Sequence, residues 1–150
     1  MVATDKLKQG FDRLDFAVVE FMQRWGIKFL RWALGIVFIW FGLLKVFKVS
    51  PVADLVAETV YWFSPNWFVP FLGFWETVVG LGLLFGKALR FVLFLFFMQM
   101  AGTFLVLIFH PELSFQEGNP LHLTVLGEFV VKNLVLIAAG LAVGASVRKK

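Results

Sequence analysis

Two charged residues, Glu76 and Lys132, lie inside stretches of the chain that are otherwise almost entirely apolar. Both stretches are long enough to cross a lipid bilayer, because a hydrocarbon core of about 30 Å takes roughly 20 helical residues. A charged side chain at membrane depth costs about 3 kcal/mol on insertion scales, so it normally faces an oppositely charged partner or a water-filled cavity. These two residues are therefore the first candidates for binding or proton chemistry.

Other polar residues fall at a similar depth, in the outer half of the expected bundle. Glu128 precedes Lys132 by one helical turn, which is the favourable order for an ion pair within a helix. Glu76 then needs a partner of its own, and Lys45 and Lys132 are the basic residues at comparable depth. Such a cluster could lock the helices together as an ion-pair network, or it could hold a ligand or a proton. The candidate members of this connected cluster are Lys45, Glu76, Gln99, Thr103, Glu128, Lys132 and Asn133.

Composition identifies the class of protein that must position these residues. The chain of 150 residues is 60% hydrophobic, 18% aromatic and only 16% charged, whereas soluble domains carry about 25% charged residues. Four apolar runs have the length of a membrane span, so we predict an all-α integral membrane four-helix bundle. The predicted spans are residues 27–47, 66–85, 88–109 and 124–147.

Residues 1–26 are predicted to form a separate amphipathic helix ahead of the four-span domain, 27–147, which a basic tail, 148–150, follows. Apolar residues recur at helical spacing from Leu7 to Trp25, and charged residues fill much of the other side. Such a helix is expected to lie in the cytoplasmic membrane interface and to lead through Gly26 into the first span. It could be a simple anchor or a docking surface for another subunit.

The distribution of basic residues predicts the orientation in the membrane. Most of the 14 Lys and Arg residues lie before the first span, between the second and third, or after the fourth. By the positive-inside rule, both termini are expected in the cytoplasm. Topology and contact with anionic lipid account for the basic tail better than nucleic-acid binding does, so we expect the lipid bilayer and no nucleic acid as a partner.

An aromatic loop joins the first two spans. Tyr61, Trp62 and Trp67 belong to a run of rings that favours the headgroup level of a membrane. Pro65 and Pro70 are expected to break any continuous helix there. We therefore predict a short interfacial helix or re-entrant cap that lies over the outer face. The three aromatic residues could form an aromatic belt, or they could form a lid over the polar cluster.

Few groups in the chain suit metal or redox chemistry. With no cysteine, disulfides and thiolate ligands within the chain are excluded. His110 and His122 match no tight ligand spacing, and loop histidines are more often solvated than metal-bound. We therefore expect no metal site, and we assign no catalytic residue.

Glycines are frequent in the predicted spans, and Gly140 and Gly144 form a GxxxG pattern in the fourth. Small residues let helix backbones approach closely in lipid. The pattern predicts close packing within the bundle, with a homodimer seam along the fourth span as the alternative.

Several of these residues belong to blocks that resemble a known family. The blocks are Arg31-Trp-Ala-Leu-Gly through Gly-Leu-Leu-Lys45, then Gly73-Phe-Trp-Glu76, then Arg90, Thr103-Phe104, Leu126-Gly127-Glu128 and Lys132-Asn133-Leu134. Together they resemble the DoxX-like superfamily of small four-helix membrane proteins, nearest its branch of reactive-chlorine-resistance membrane proteins. The resemblance spans about residues 27–145. It implies a bacterial inner membrane and a link to redox stress or to quinones, with no settled biochemical activity.

Two functions from different classes follow from the sequence. The first is a membrane protein whose polar cavity, in the outer half of the bundle, binds a quinone or another hydrophobic ligand in a redox or oxidative-stress context. The second is a non-catalytic accessory or scaffold subunit of a larger membrane complex, or a homo-oligomer. Because the chain offers no redox group of its own, binding or accessory roles are favoured over an enzyme that works alone.

Overall fold

The computed structural model describes residues 2–60 and 62–148, with side chains from residue 11 onward. Within them the chain is helical, without strands, and Phe115 and Leu123 form a single antiparallel bridge. Four of the helices are long and apolar enough to cross a membrane, so the predicted bundle is confirmed. The α-helices are α1 (Val2–Val46), α2 (Ala53–Thr59), α3 (Pro65–Phe85), α4 (Leu89–Phe109), α5 (Pro111–Ser114) and α6 (Val125–Ser146), with a short 3-10 helix at Gln116–Gly118.

Helix α1 is a single helix of 45 residues, about 68 Å long at a rise of about 1.5 Å per residue. The segment expected as a separate amphipathic helix is continuous with the first span, because α1 runs through Gly26 without a break. A glycine inside a helix costs only about 1 kcal/mol relative to alanine, and residues 2–46 contain no proline. From residue 11 to residue 29 every side chain except Trp25 is exposed. This segment therefore projects beyond the bundle, and its position in a membrane interface stays a prediction.

Pairs of glycines hold α1 and α3 together in antiparallel orientation. A Cβ atom placed on Gly42 would lie 2.6 Å from the carbonyl oxygen of Gly73, and one on Gly35 would lie 2.9 Å from that of Gly80. Both distances are too short for any residue other than glycine without movement of the backbone. We call this contact the glycine seam. It fixes the register of the first two spans, with Arg31 beside Gly86 at one end.

The register of the helices defines two ends of the bundle. The terminal end holds Arg31, Gly86, Leu89 and Val147, and the far end holds Lys45, Ser64, Phe109 and Thr124. The predicted topology would place the terminal end in the cytoplasm.

Helices α4 and α6 form the other side of the bundle. Gly140 of α6 packs against the rings of Phe96 and Phe97 of α4, and Gly144 lies beside Leu93. Gly140 therefore serves close packing within the bundle, whereas a Cβ on Gly144 would make only ordinary contact, and a homodimer seam along α6 stays a prediction. Phe96 is fully buried and meets Phe38 of α1 with ring centres 5.0 Å apart, so it closes the core between opposite helices.

The far end departs from the sequence prediction at one proline. Pro65 begins α3, as expected for its first turn, but Pro70 lies inside the same helix and does not break it. Pro70 sits early in α3, where its missing N–H removes one intrahelical hydrogen bond to Asn66 and leaves the rest of the helix intact. Upstream, α2 forms the predicted short helix and packs against α3 and α4.

Candidate functional site

Three side chains from three helices meet at the centre of the far half of the bundle. Lys45 Nζ donates to Glu76 Oε2 over 2.6 Å, and Gln99 Nε2 donates to Glu76 Oε1 over 2.8 Å. The three residues are 6%, 7% and 8% exposed, respectively. We call Lys45, Glu76 and Gln99 the polar triad. Both carboxylate oxygens are thus occupied by donors, which is the arrangement that makes a buried charge tolerable.

Each member of the polar triad is positioned by the packing of its own helix. Lys45 lies in the last turn of α1, and Gly73 lets it approach α3, since a Cβ on Gly73 would be 2.7 Å from Lys45 Cβ. Glu76 follows one turn later on α3, on the face that includes buried Val79. The prediction that Glu76 pairs with Lys45 or Lys132 is thus answered: the partner is Lys45.

The polar triad keeps hydrogen-bonding capacity that its internal bonds do not use. In the described part of the chain, Lys45 and Gln99 each donate a single side-chain hydrogen bond, so further N–H groups remain on both. The indole Nε1 of Trp75, one residue before Glu76, is also buried and has no hydrogen-bond partner among the residues that the structure describes. In a membrane interior an unsatisfied donor costs several kcal/mol, because no water is present to accept from it.

A second polar pair lies one helical turn further along α4. Asn133 Nδ2 donates to Thr103 Oγ1 over 3.3 Å, and Thr103 Oγ1 donates to the carbonyl of Met100 over 2.7 Å. Asn133 is buried. Across the described residues, no hydrogen bond joins this pair to the polar triad. The structure therefore places Thr103 and Asn133 near the cluster but in a separate contact.

Glu128 and Lys132 do not join the cluster, which corrects the expected single site. They form an ion pair of 3.2 Å along α6, and their side chains are 56% and 73% exposed. The reason is the helical rotation of about 100° per residue: buried Asn133 turns inward, and Lys132 beside it turns outward. The expected depth of a residue in the membrane cannot show which of Lys132 and Asn133 faces the core.

The aromatic residues proposed as a lid lie at the far end of the bundle. The rings of Trp62 and Phe109 meet edge to face at 6.0 Å, and Trp67 contacts Phe63 at 5.5 Å. Trp67 is half exposed, and it precedes Glu76 by nine residues on α3, about 13.5 Å along the helix axis. Tyr61 lies outside the described residues. A lid over the polar triad stays a prediction.

His110 connects two elements at the far end, a role that sequence analysis missed. Its Nδ1 lies 3.0 Å from Glu112 Oε1, and its Nε2 lies 3.2 Å from the carbonyl oxygen of Glu58 at the end of α2. The hydrogen bond to Glu112 raises the pKa of His110 above its ordinary value, with the Glu58 carbonyl adding to the effect. The pKa of Glu112 is lowered by its own backbone N–H and by His110. Within the described chain, no group of three or more His, Cys, Asp or Glu residues is placed to hold a metal ion.

Four membrane-length helices around a buried ion pair define a small multi-pass membrane protein, with the lipid bilayer as its surroundings. A family model described as DoxX matches residues 26–111, which is more than half of the chain. The chain therefore belongs to the DoxX family, as the sequence resemblance predicted. The match contains all three members of the polar triad and ends before α6. Comparisons with curated proteins and with solved structures gave no significant match.

Proposed function

We propose that this protein binds the polar head of a membrane-soluble ligand at the polar triad, and that the ligand is a quinone. The observation that supports this most strongly is the set of donors left over on the polar triad, the N–H groups of Lys45 and Gln99. The buried indole N–H of Trp75, in the same turn of α3 as Glu76, is a further donor. A quinone presents two carbonyl acceptors on an apolar ring. Its polarity matches a site with a few directed donors inside an apolar bundle.

An inner-membrane location with both termini in the cytoplasm would place the polar triad in the outer half of the bilayer, where quinones are soluble. A role in redox or oxidative stress, and the reactive-chlorine-resistance branch, are consistent with a quinone ligand. Lys45 and Gln99 would donate to a quinone carbonyl, and Glu76 would hold both donors in place. No catalytic residue is assigned.

Binding can be tested with the protein purified in a mild detergent. Lipid extraction followed by mass spectrometry should recover quinone, and a short-tailed quinone added to stripped protein should quench tryptophan fluorescence saturably. Gln99→Met removes the amide and leaves the Lys45–Glu76 pair intact, so we expect about a tenfold loss of affinity, which corresponds to about 1.4 kcal/mol. Trp75→Phe keeps the ring and removes the N–H, and a similar loss is expected.

Matched controls lie on the surface of the same bundle. Lys132→Met removes a cation at similar depth, and Trp40→Phe removes an exposed indole. Neither should change the affinity for quinone by more than about twofold, because the Lys132 ion pair and the Trp40 indole are both exposed, and exposed ion pairs contribute little. Quinone partition into empty micelles as strong as into the protein, or equal affinities of all variants, would refute the proposal.

The projecting part of α1 favours a second function, that of an accessory or scaffold subunit. Phe11, Leu14 and Phe21 are each more than half exposed and share one helical face. Replacing these three residues with serine should abolish stoichiometric co-purification of a partner protein from membranes. Phe16→Ser, on another face and equally exposed, should leave it intact. Absence of any stoichiometric partner from the unaltered protein would exclude this function.

A further inference from the structure

A groove opens at the terminal end between the start of α4 and the end of α6. The groove is open to the surroundings and has a volume of about 460 Å³, and its lining residues are Arg90, Leu93, Gly144, Val147 and Arg148. The groove is amphipathic: Leu93 and Val147 give it an apolar floor, and an arginine stands on each side. A Cβ added to Gly144 would meet only Leu93, at the ordinary contact distance of 3.4 Å, so space remains beside this residue.

Within residues 11–148, the two arginines of this groove have no acidic partner. Among the described residues, neither Arg90 nor Arg148 forms an ion pair. Sequence position explains this, because acidic side chains after residue 20 belong to the far half of the bundle. They are Asp54, Glu58, Glu76, Glu112, Glu117 and Glu128.

The start of α4 adds further positive potential to the same place. Ala88 precedes the helix in a left-handed conformation, and no side chain caps the helix. The backbone N–H groups of Leu89 and Arg90 make no backbone hydrogen bond in the described chain. Free N–H groups and the helix dipole both favour an anion at a helix N-terminus.

We infer that this groove binds the phosphodiester headgroup of an anionic phospholipid. The guanidinium groups of Arg90 and Arg148 hold the phosphate oxygens, because arginine forms paired charge-assisted hydrogen bonds to phosphate. One acyl chain of the lipid lies along Leu93 and Val147. The helices end at this level, where a membrane presents its headgroups, so the lipid reaches the groove without leaving the bilayer. The site is independent of the polar triad, which lies in the other half of the bundle.

The test measures binding of a short-chain phosphatidylglycerol to the whole purified protein, by native mass spectrometry and by titration of the melting temperature. Removing both charges in Arg90→Gln/Arg148→Gln should weaken binding by about tenfold or more, since two charge-assisted contacts are lost. The control Arg13→Gln/Arg24→Gln removes the same charge from the projecting part of α1. It should change the affinity by less than about twofold. Equal losses in the two double variants would mean a diffuse charge effect and would overturn the site.

Two further measurements separate the lipid from other ligands. Gly144→Leu fills the groove and leaves both arginines in place, so it should weaken phosphatidylglycerol binding while inorganic phosphate remains without effect on the melting temperature. A phosphatidylcholine of equal chain length should bind at least about tenfold more weakly, because the headgroup then carries no net charge. Inorganic phosphate that competes at the same concentration as the lipid would assign the groove to free phosphate and refute the lipid assignment. Unchanged lipid binding by Gly144→Leu would also refute it.

Discussion

Inside the bundle, Lys45 and Gln99 each donate a hydrogen bond to one carboxylate oxygen of Glu76. The pair of opposite charges does not by itself make the fold stable, since removing two ions from water costs several kcal/mol per ion. Its importance appears when one member is removed and the other is left buried and alone. This asymmetry distinguishes the Lys45–Glu76 pair from the exposed pair of Glu128 and Lys132.

Removing one charge from the buried pair should therefore destabilise the protein more than removing both. We expect Lys45→Met and Glu76→Gln each to cost about 3–5 kcal/mol, and the double variant to recover part of that loss. Unfolding in detergent, followed by circular dichroism, measures these differences. For comparison, Glu128→Gln/Lys132→Met should cost about 0–1 kcal/mol. Strictly additive losses for Lys45 and Glu76 would contradict the pairing.

A second prediction at the residue scale concerns pH and His110. Bonds to both Glu112 and the Glu58 carbonyl require two N–H groups, which only the protonated imidazole has. Because the pKa of His110 is raised in the folded protein, its contribution is fully present below the unfolded value of about 6.5 and is lost as pH rises through the folded pKa. The melting temperature should fall over this window, and His110→Gln should flatten that fall. An unchanged pH profile in the variant would show that His110 does not connect α2 to α4.

At the scale of the elements, the glycine seam determines where α1 and α3 place their polar residues. Gly42 faces Gly73 and Thr77 at a distance that leaves no room for a side chain. Since Lys45 lies less than one turn beyond Gly42, any widening of the seam would move Lys45 away from Glu76.

Adding one methyl group to the seam should therefore reduce stability. We expect Gly42→Ala to cost about 1–3 kcal/mol, the usual range for overpacking, because its Cβ would lie 2.5 Å from Thr77 Oγ1. Gly102→Ala is the control, since a Cβ there meets nothing within 4 Å. That substitution should be neutral, or stabilise by up to about 1 kcal/mol through helix propensity. Thermal unfolding measures the stability of both variants, and an equal change in stability for Gly42→Ala and Gly102→Ala would rule out a tightly packed seam.

Some of these elements could be predicted from the sequence, and others could not. The length of the apolar runs predicted most ends of the spans to within about one residue. For example, α6 begins directly after Thr124, whose side chain accepts a hydrogen bond from the Gly127 N–H. The continuity of α1 and the helical Pro70 could not be predicted, because a single glycine or proline costs too little to decide a helix boundary within a long apolar segment.

The sequence predicted only part of the candidate site, because residue depth does not fix the rotation of a helix. Residue type and depth selected Lys45, Glu76 and Gln99, but depth also selected Lys132, which the rotation of α6 turns outward. Only the packing of α4 against α6 decides which of Lys132 and Asn133 faces the core. Trp75 carried a signal that sequence analysis did not use, since it directly precedes Glu76 and its N–H needs an acceptor when buried.

At the scale of the whole molecule, orientation is the property that a direct experiment can decide. Basic residues dominate the terminal end, and the positive-inside rule puts that end in the cytoplasm. A reporter that is active only outside the cytoplasm should give no signal when fused after residue 150, and a strong signal when inserted near Asn119. The opposite pattern would invert the topology and move the polar triad to the inner half of the bilayer.

The glycine seam also has a consequence for how the chain enters the membrane. Lys45 and Glu76 belong to consecutive spans, so the two charges can pair as soon as α3 has left the ribosome and joined α1. A hairpin of α1 and α3 in which the two charges are already paired would enter lipid without an isolated charge, which removes much of the cost of inserting either charge alone. Gln99 arrives only with α4 and completes a carboxylate that is already neutralised. The order of the helices along the chain thus matches the order in which Glu76 needs its partners during synthesis.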